Sequence, residues 1–255
     1  MPRLRRWHPN PQSAANCTQG EYIMAQLYYF KGRGRAETTR WMLAANEIDF
    51  QNIPIETPQA LAALRSSGKL PFDQMPLLEI DGLGISQTTA LIRYLARRGD
   101  LYGDTANDAL WCDMIAGVAS DLVEPAMQAA FQPNEKIAIM ALRVRFTKFG
   151  ARLEMRLANN GEQFTGGKRL SFADIILAEA LTSYLDLVPD ILEETPLLAN
   201  LQRRVTHLPG IRAYLNSPQR WPIADETYVI GVAKVLERAL PPHMHDPHRF
   251  VTSPI

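Results

Sequence analysis

The spacing of apolar residues changes partway along the chain, from a mixture of two periods to one. AQLYYF at 25–30 is short and rich in aromatics, which predicts a strand, and it runs into the two-glycine turn KGRGR. AETTRWMLAANE places Trp41, Met42 and Ala45 at helical spacing, with Glu37 near the N-terminus where a carboxylate suits the helix dipole. DFQNIPIE alternates as a second strand, and PQALAALRSSGKLPF predicts a short helix ending near Gly68. In MPLLEIDGLGISQ two apolar runs flank Asp81-Gly82, a dipeptide suited to positive φ, which predicts a hairpin. TTALIRYLARRG is then a helix with Leu91, Ile92 and Leu95 inward.

Beyond about residue 105 only the helical period remains. One stripe runs through NDALWCDMIAGVASDLVEPAMQAAF and another through IAIMALRVRFTKFGARLEMRLA. SFADIILAEALTSYLDLV is apolar nearly all round and predicts a buried central helix, opened by a Ser171/Asp174 capping box. LLANLQRRVTHLPGIRAYLNS gives two shorter helices broken at Pro209-Gly210, and DETYVIGVAKVLERAL one more amphipathic helix. The pattern divides the chain at 24–104 and 105–240.

The two ends read differently. Residues 1–23 carry Arg3, Arg5 and Arg6, three prolines and, before Glu21, no acidic residue. They lack the apolar core of a secretory signal, and the prolines oppose an amphipathic targeting helix. A disordered extension is the expectation, with mitochondrial targeting the less favoured reading and a cytoplasmic location the favoured one. Residues 241–255 hold His243, His245 and His248 without a Cys or carboxylate cluster at structural-zinc spacing, so they read as a flexible tail and no metal is expected.

Composition narrows the functional classes. Lys plus Arg and Asp plus Glu both number 27 in 255 residues, and this balance argues against a protein whose main work is gripping nucleic acid phosphates. Two cysteines, Cys17 and Cys112, cannot build a disulfide framework. There is no apolar run long enough for a membrane span.

Five segments then occur in an order that carries a resemblance: LYYFKGRGRAETTRWMLA at 27–44, LPFDQMPLLEIDG at 70–82, SQTTALIRYLA at 86–96, GKRLSFADIILAE at 167–179 and HLPGIRAYLNS at 207–217. The chain resembles the cytosolic glutathione S-transferases, most closely the classes that use a tyrosine. The resemblance implies an α/β thioredoxin-like N-terminal domain, an all-α C-terminal domain, a homodimer, and a detoxifying enzyme with glutathione as co-substrate and no other cofactor. It also implies a cis bond before Pro76.

An ordinary thiol has a pKa of about 8.5, so little thiolate exists at pH 7, and lowering that value by about 2 units requires roughly 2.7 kcal/mol of differential stabilisation. A hydroxyl aimed at the sulfur can supply most of it. By match to the family the donor is Tyr29, with Tyr28 as competitor; side chains alternate along a strand, so the two cannot both face the site. The resemblance assigns Arg35 to positive potential near the thiolate, and Gln74, Met75 and Pro76 to the tripeptide backbone. It assigns Gln87 and Thr88 to the γ-glutamyl carboxylate at a helix N-terminus. Arg65 and Lys69 compete for the glycyl carboxylate. Trp41 lies near the site by position, with core packing as the alternative. Asp121 matches an acidic residue that reaches the neighbouring subunit's γ-glutamyl amine, with an exposed helix carboxylate as the alternative. The chain departs from many relatives in having no tryptophan between 55 and 72. Residues 225–240 either fold over the electrophile pocket or simply pack on the helical domain. Arg33 is read as solvent-facing or structurally paired, and Cys112 as core.

The implied activity is conjugation of glutathione to small hydrophobic electrophiles. Two alternatives stand beside it: a glutathione-dependent isomerase of the prostaglandin type, and a non-catalytic carrier of hydrophobic ligands or structural relative.

Overall fold

The structure is a computed structural model that describes residues 24–245. The expected extension at 1–23 and most of the tail, including His248, lie outside the described residues. Residues 242–245 form a 3-10 turn.

The first half builds a four-stranded sheet in the order β2-β1-β3-β4. β1 (Ala25–Tyr29) pairs in parallel with β2 (Phe50–Pro54), as a crossover through α1 (Glu37–Ala45) requires. β3 (Leu77–Ile80) and β4 (Leu83–Ser86) form the hairpin around Asp81-Gly82, and β3 runs antiparallel to β1. Gly82 has φ +74°, the left-handed conformation that the turn needs and glycine adopts freely. α2 (Pro58–Ser66) follows β2, and α3 (Thr88–Arg98) follows β4. This is the thioredoxin-like arrangement.

The second half is helical: α4 (Ala106–Gln128), α5 (Glu135–Asn159), α6 (Phe172–Leu185), α7 (Pro196–Thr206), α8 (Pro209–Leu215) and α9 (Glu226–Leu236). The change of texture near 105 coincides with a helix start. Thr105 and Asp108 form a reciprocal capping box on α4. Pro125 lies in the last turn of α4, and the helix gives way to a 3-10 turn at Ala129–Phe131.

α6 is the centre, as its all-round apolarity predicts. Every residue from Phe172 to Leu181 is buried. Each fully buried Leu or Ile there contributes about 1.5–3 kcal/mol by leaving water. The helix begins at a buried capping box. Asp174 accepts hydrogen bonds from the backbone and hydroxyl of Ser171 and from the backbone and hydroxyl of Thr165, at 2.7–2.9 Å. Cys112 is buried beside it in the core. α6 packs against α4 on one side and α1 on the other, so one core spans both halves. Among the described residues, no helix is long and apolar enough to cross a membrane.

Candidate active site

Alternation along β1 decides between the two tyrosines. Ala25, Leu27 and Tyr29 point inward, whereas Gln26 and Tyr28 are only half-buried. Tyr28 donates its hydroxyl to Glu79 Oε2 at 2.7 Å; partial burial and this carboxylate push its pKa up to about 12. Tyr29 is 7% exposed, and its hydroxyl oxygen accepts the backbone N–H of Arg35 at 3.1 Å. The Tyr228 hydroxyl of α9 lies beside it at the same turn, next to Gly34. Burial raises the Tyr29 pKa, opposed by the Arg35 N–H, by the neighbouring Tyr228 hydroxyl and by the charges of Arg35 and Arg40. Tyr29 therefore stays neutral at physiological pH. Its oxygen is occupied as an acceptor while its own proton remains to be donated.

The turn after β1 holds this hydroxyl in place. Gly34 has φ +41°, and a Cβ there would lie 2.7 Å from the Tyr29 oxygen; a Cβ on Gly32 would lie 2.3 Å from the Tyr228 ring. Both glycines are needed to let two tyrosines converge on one turn. Beneath it, Arg40 is 1% exposed and donates to the carbonyls of Gly32 (3.0 Å) and Arg33 (3.2 Å), to Asn52 (2.8 Å) and to Glu37 (3.2 Å). Glu37 in turn accepts Trp41 Nε1 and the Tyr214 hydroxyl, tying the turn to α8. Arg33 is structurally paired, to Asp186 and to the Trp221 carbonyl.

A cavity of about 660 Å³ opens beside this turn, bordered among others by Arg35, Arg65, Gln74, Met75, Pro76, Gln87 and Thr88. The structure thus gathers seven of the residues singled out in the sequence. The Met75–Pro76 peptide is cis. Gln87 Nε2 donates to Gln74 Oε1 at 2.8 Å. Gln87 also precedes α3 with φ 72° and ψ 110°, a strained backbone for a non-glycine, and no side chain caps the helix. The first N–H groups of α3 are left without a side-chain cap, and an anion placed there would gain about 0.3–1 kcal/mol from the helix dipole alone.

Two of the residues singled out in the sequence, Trp41 and Lys69, do not border the cavity. Trp41 is 1% exposed, with its ring in the core and its Nε1 on Glu37, so it supports the turn from below and does not border the cavity. Lys69 does not border it either: Glu79 takes its ammonium at 2.9 Å, drawing it to the Tyr28 side of the sheet. Arg35 borders the cavity and acts on Tyr29 through both its backbone N–H and its charge, and its half-exposed guanidinium pairs with Glu124 at 2.9 Å. Asp121, expected to reach a neighbouring subunit, lies exposed on α4, 3.9 Å from Arg145.

A second, smaller cavity of about 50 Å³ lies on the other side of the turn, between Gly34, Val123, Ala126, Met127, Ile223 and Tyr228 among others. Met127 reaches it, whereas Met114 is on the surface and Val118 packs against the core. The two neighbours of the Tyr29 hydroxyl border the two cavities, Arg35 the larger and Tyr228 the smaller. Sequence reasoning did not single out Tyr228. The only available signal was that residues 225–240 form an amphipathic helix able to close over the site, and α9 does contact both α2 and the 129–131 turn.

Glu179 of α6 also borders the small cavity. It accepts from Thr38 and Ser183, each at 3.1 Å. Full burial and then the charge of Glu37 raise its pKa to about 8, against the hydrogen bonds and the charge of Arg33. Since 8 lies above the unfolded value of about 4.5, the fold favours the protonated form. This contribution to stability is complete below about pH 4.5 and is lost as the pH rises through about 8. Glu179→Gln is expected to remove that slope. Melting temperatures at pH 5 and pH 8 should converge in the variant relative to the parent, and an unchanged difference would contradict the assignment.

Comparison with known proteins agrees with this geometry. The family described as "Glutathione S-transferase, N-terminal domain" matches residues 25–97, and "Glutathione S-transferase, C-terminal domain" matches 120–218. The chain is 37% identical over 219 residues to glutathione S-transferase alpha-4 of Rattus norvegicus, covering 84% of this chain and 99% of that one. It is 39% identical over 206 residues to glutathione S-transferase A2 of Bos taurus, covering 79% and 92%. Among solved structures, the glutathione S-transferase from Ascaris lumbricoides superposes with TM-score 0.65 at 28% identity, covering 75% of this chain and 96% of that one. The monomeric Na-GST-3 of Necator americanus superposes with TM-score 0.68 at 22% identity, covering 77% and 98%. With the sheet topology, the cis Met75–Pro76 bond and the buried Tyr29 hydroxyl already in place, these similarities establish that the chain belongs to the glutathione S-transferase family of enzymes.

Proposed function

We propose that this protein conjugates the thiolate of glutathione to small hydrophobic electrophiles, with the Tyr29 hydroxyl donating a hydrogen bond to the sulfur. The observation that carries the reading is the buried Tyr29 hydroxyl, whose oxygen accepts the Arg35 N–H beside the larger cavity and whose own proton is left to donate. Glutathione lies in the larger cavity. Its γ-glutamyl carboxylate meets Gln87, Thr88 and the N-terminus of α3, its cysteinyl backbone meets Met75, and its glycyl end meets Arg65. The thiol loses its proton to solvent. The thiolate, held by Tyr29 O–H, attacks an electrophile seated against Met127, Ile223 and Tyr228, and the leaving group departs with the electron pair of the broken bond. The test is turnover of a chloronitroarene with glutathione, run beside a glutathione-dependent isomerisation on the same preparation. Conjugation without isomerisation supports the reading, and isomerisation alone replaces it with the isomerase.

Tyr228 is the one aromatic side chain among the described residues that border the small cavity. Tyr228→Ala is expected to raise kcat/KM for a bulky electrophile relative to a small one by about tenfold, since one or two methylenes of pocket space are worth 1–3 kcal/mol. An unchanged ratio would place the electrophile elsewhere.

We further propose a homodimer. It is supported by the 65% exposure of Phe72 beside the larger cavity and by the exposed apolar side chains of Leu110 and Met114 on α4. Sedimentation at micromolar concentration decides between dimer and monomer. A cytoplasmic location fits the reading, and fractionation of cells expressing the full chain tests it against mitochondrial import.

A further inference from the structure

The larger cavity has a wall that the sequence did not suggest. α9 lays Val235 and Leu236 against Leu61, Leu64 and Leu70, at and just beyond α2. The helix then ends on Glu237, a left-handed C-cap with φ 52° and ψ 42°. The next N–H, that of Arg238, returns to the Ala233 carbonyl at 2.9 Å, closing a Schellman-type turn. The reversal carries Arg238 into the cavity lining, together with Leu61, Arg65 and Leu236.

Three arginines therefore border one cavity, and they are not equivalent. Arg35 has Glu124 as its counter-ion. Among the described residues, neither Arg65 nor Arg238 has a carboxylate within ion-pair distance. The cavity wall runs from the uncapped N-terminus of α3 at Gln87-Thr88 to the α2–α9 contact where these two guanidiniums stand. A ligand with an anion at each end matches both walls.

We propose that Arg238 is a second guanidinium for the glycyl carboxylate of glutathione, acting with Arg65, so that the last helix supplies part of the co-substrate site. This rests on the glutathione reading above. The pair fills the role for which Lys69 competed in the sequence, and it gives the glycyl end a contact on an element that also carries Tyr228 over Tyr29. An arginine suits the position because its planar fork can donate two parallel N–H bonds to one carboxylate, beside the apolar lining of Leu61 and Leu236.

The test uses the full chain with glutathione and with glutathione esterified at the glycyl carboxylate, for the parent and for Arg238→Gln. The expected result is a KM for glutathione raised about tenfold in the variant with kcat changed less than about twofold, as fits a charged contact made equally in ground and transition states. The ester penalty seen in the parent should shrink by the same factor. If Arg238 only anchors α9, both thiols weaken together and the ratio of their KM values stays at the parent value, which overturns the proposal. If the parent binds glutathione normally and the variant is unchanged, only Arg238 is removed from the site. If the parent binds no glutathione, both this proposal and the conjugation reading fall.

Discussion

Tyr29→Phe is expected to lower kcat/KM for conjugation by about 10- to 100-fold near pH 7 while leaving glutathione affinity nearly unchanged. The change removes one oxygen from the end of β1 and keeps the ring, so packing of the inward face of β1 is retained. What is lost is a donor worth about 2.7 kcal/mol if it lowers the thiol pKa by about 2 units. At pH 7 that shift alone changes the thiolate fraction about 25-fold, partly offset because a less basic thiolate is a weaker nucleophile. The deficit should therefore shrink as the pH approaches about 9, where the thiol ionises unaided. Tyr28→Phe is the control. Tyr28 spends its hydroxyl on Glu79 on the other face of the strand, so its removal should leave the pH profile in place. Equal losses in both variants would mean that neither hydroxyl meets the sulfur.

Arg40→Met should be the most destabilising single change near the site, at about 3–5 kcal/mol, because it leaves a buried carboxylate without its cation. For a chain of this size that corresponds to a fall of roughly 6–20 °C in melting temperature. Arg40 also holds the Gly32 and Arg33 carbonyls, so the turn that positions Tyr29 and receives Tyr228 should loosen. The double variant Glu37→Gln with Arg40→Met should recover part of the loss, since the neutral amide no longer needs a counter-charge. Thermal melts of the four members of this cycle measure the coupling. A single variant within about 0.5 kcal/mol of the parent would show that the Glu37 network carries little of the stability.

How much of this could be read from the sequence follows from the range of the interactions. β1 was legible, since the inward set Ala25, Leu27 and Tyr29 is fixed by a period of two residues. So were the Asp81-Gly82 hairpin and the Ser171/Asp174 box, where each partner lies within three residues of the other. Trp41 was ambiguous because helical spacing gives its face but not what covers that face. Lys69 was misleading because its partner Glu79 lies on β3, ten positions on. Tyr228 and Arg238 are about 200 residues from the turn and α2 that they join. Amphipathic spacing predicts α9 but not its dock, which is set by the fit of Val235 and Leu236 on α2 and by the bare backbone at Gly32. The reversal at Glu237 was hidden because a left-handed C-cap is normally marked by glycine, and this chain uses glutamate.

The most direct test of the account is the ultraviolet absorbance of the glutathione thiolate bound to the protein, titrated from about pH 5 to 10 beside Tyr29→Phe, against a free-thiol pKa of about 8.5. The account predicts a midpoint about 2 units below that of free glutathione in the parent, returning toward the free value in the variant. A bound thiol that titrates at the free value in both proteins would contradict it, and would mark this chain as a protein that holds glutathione without activating it.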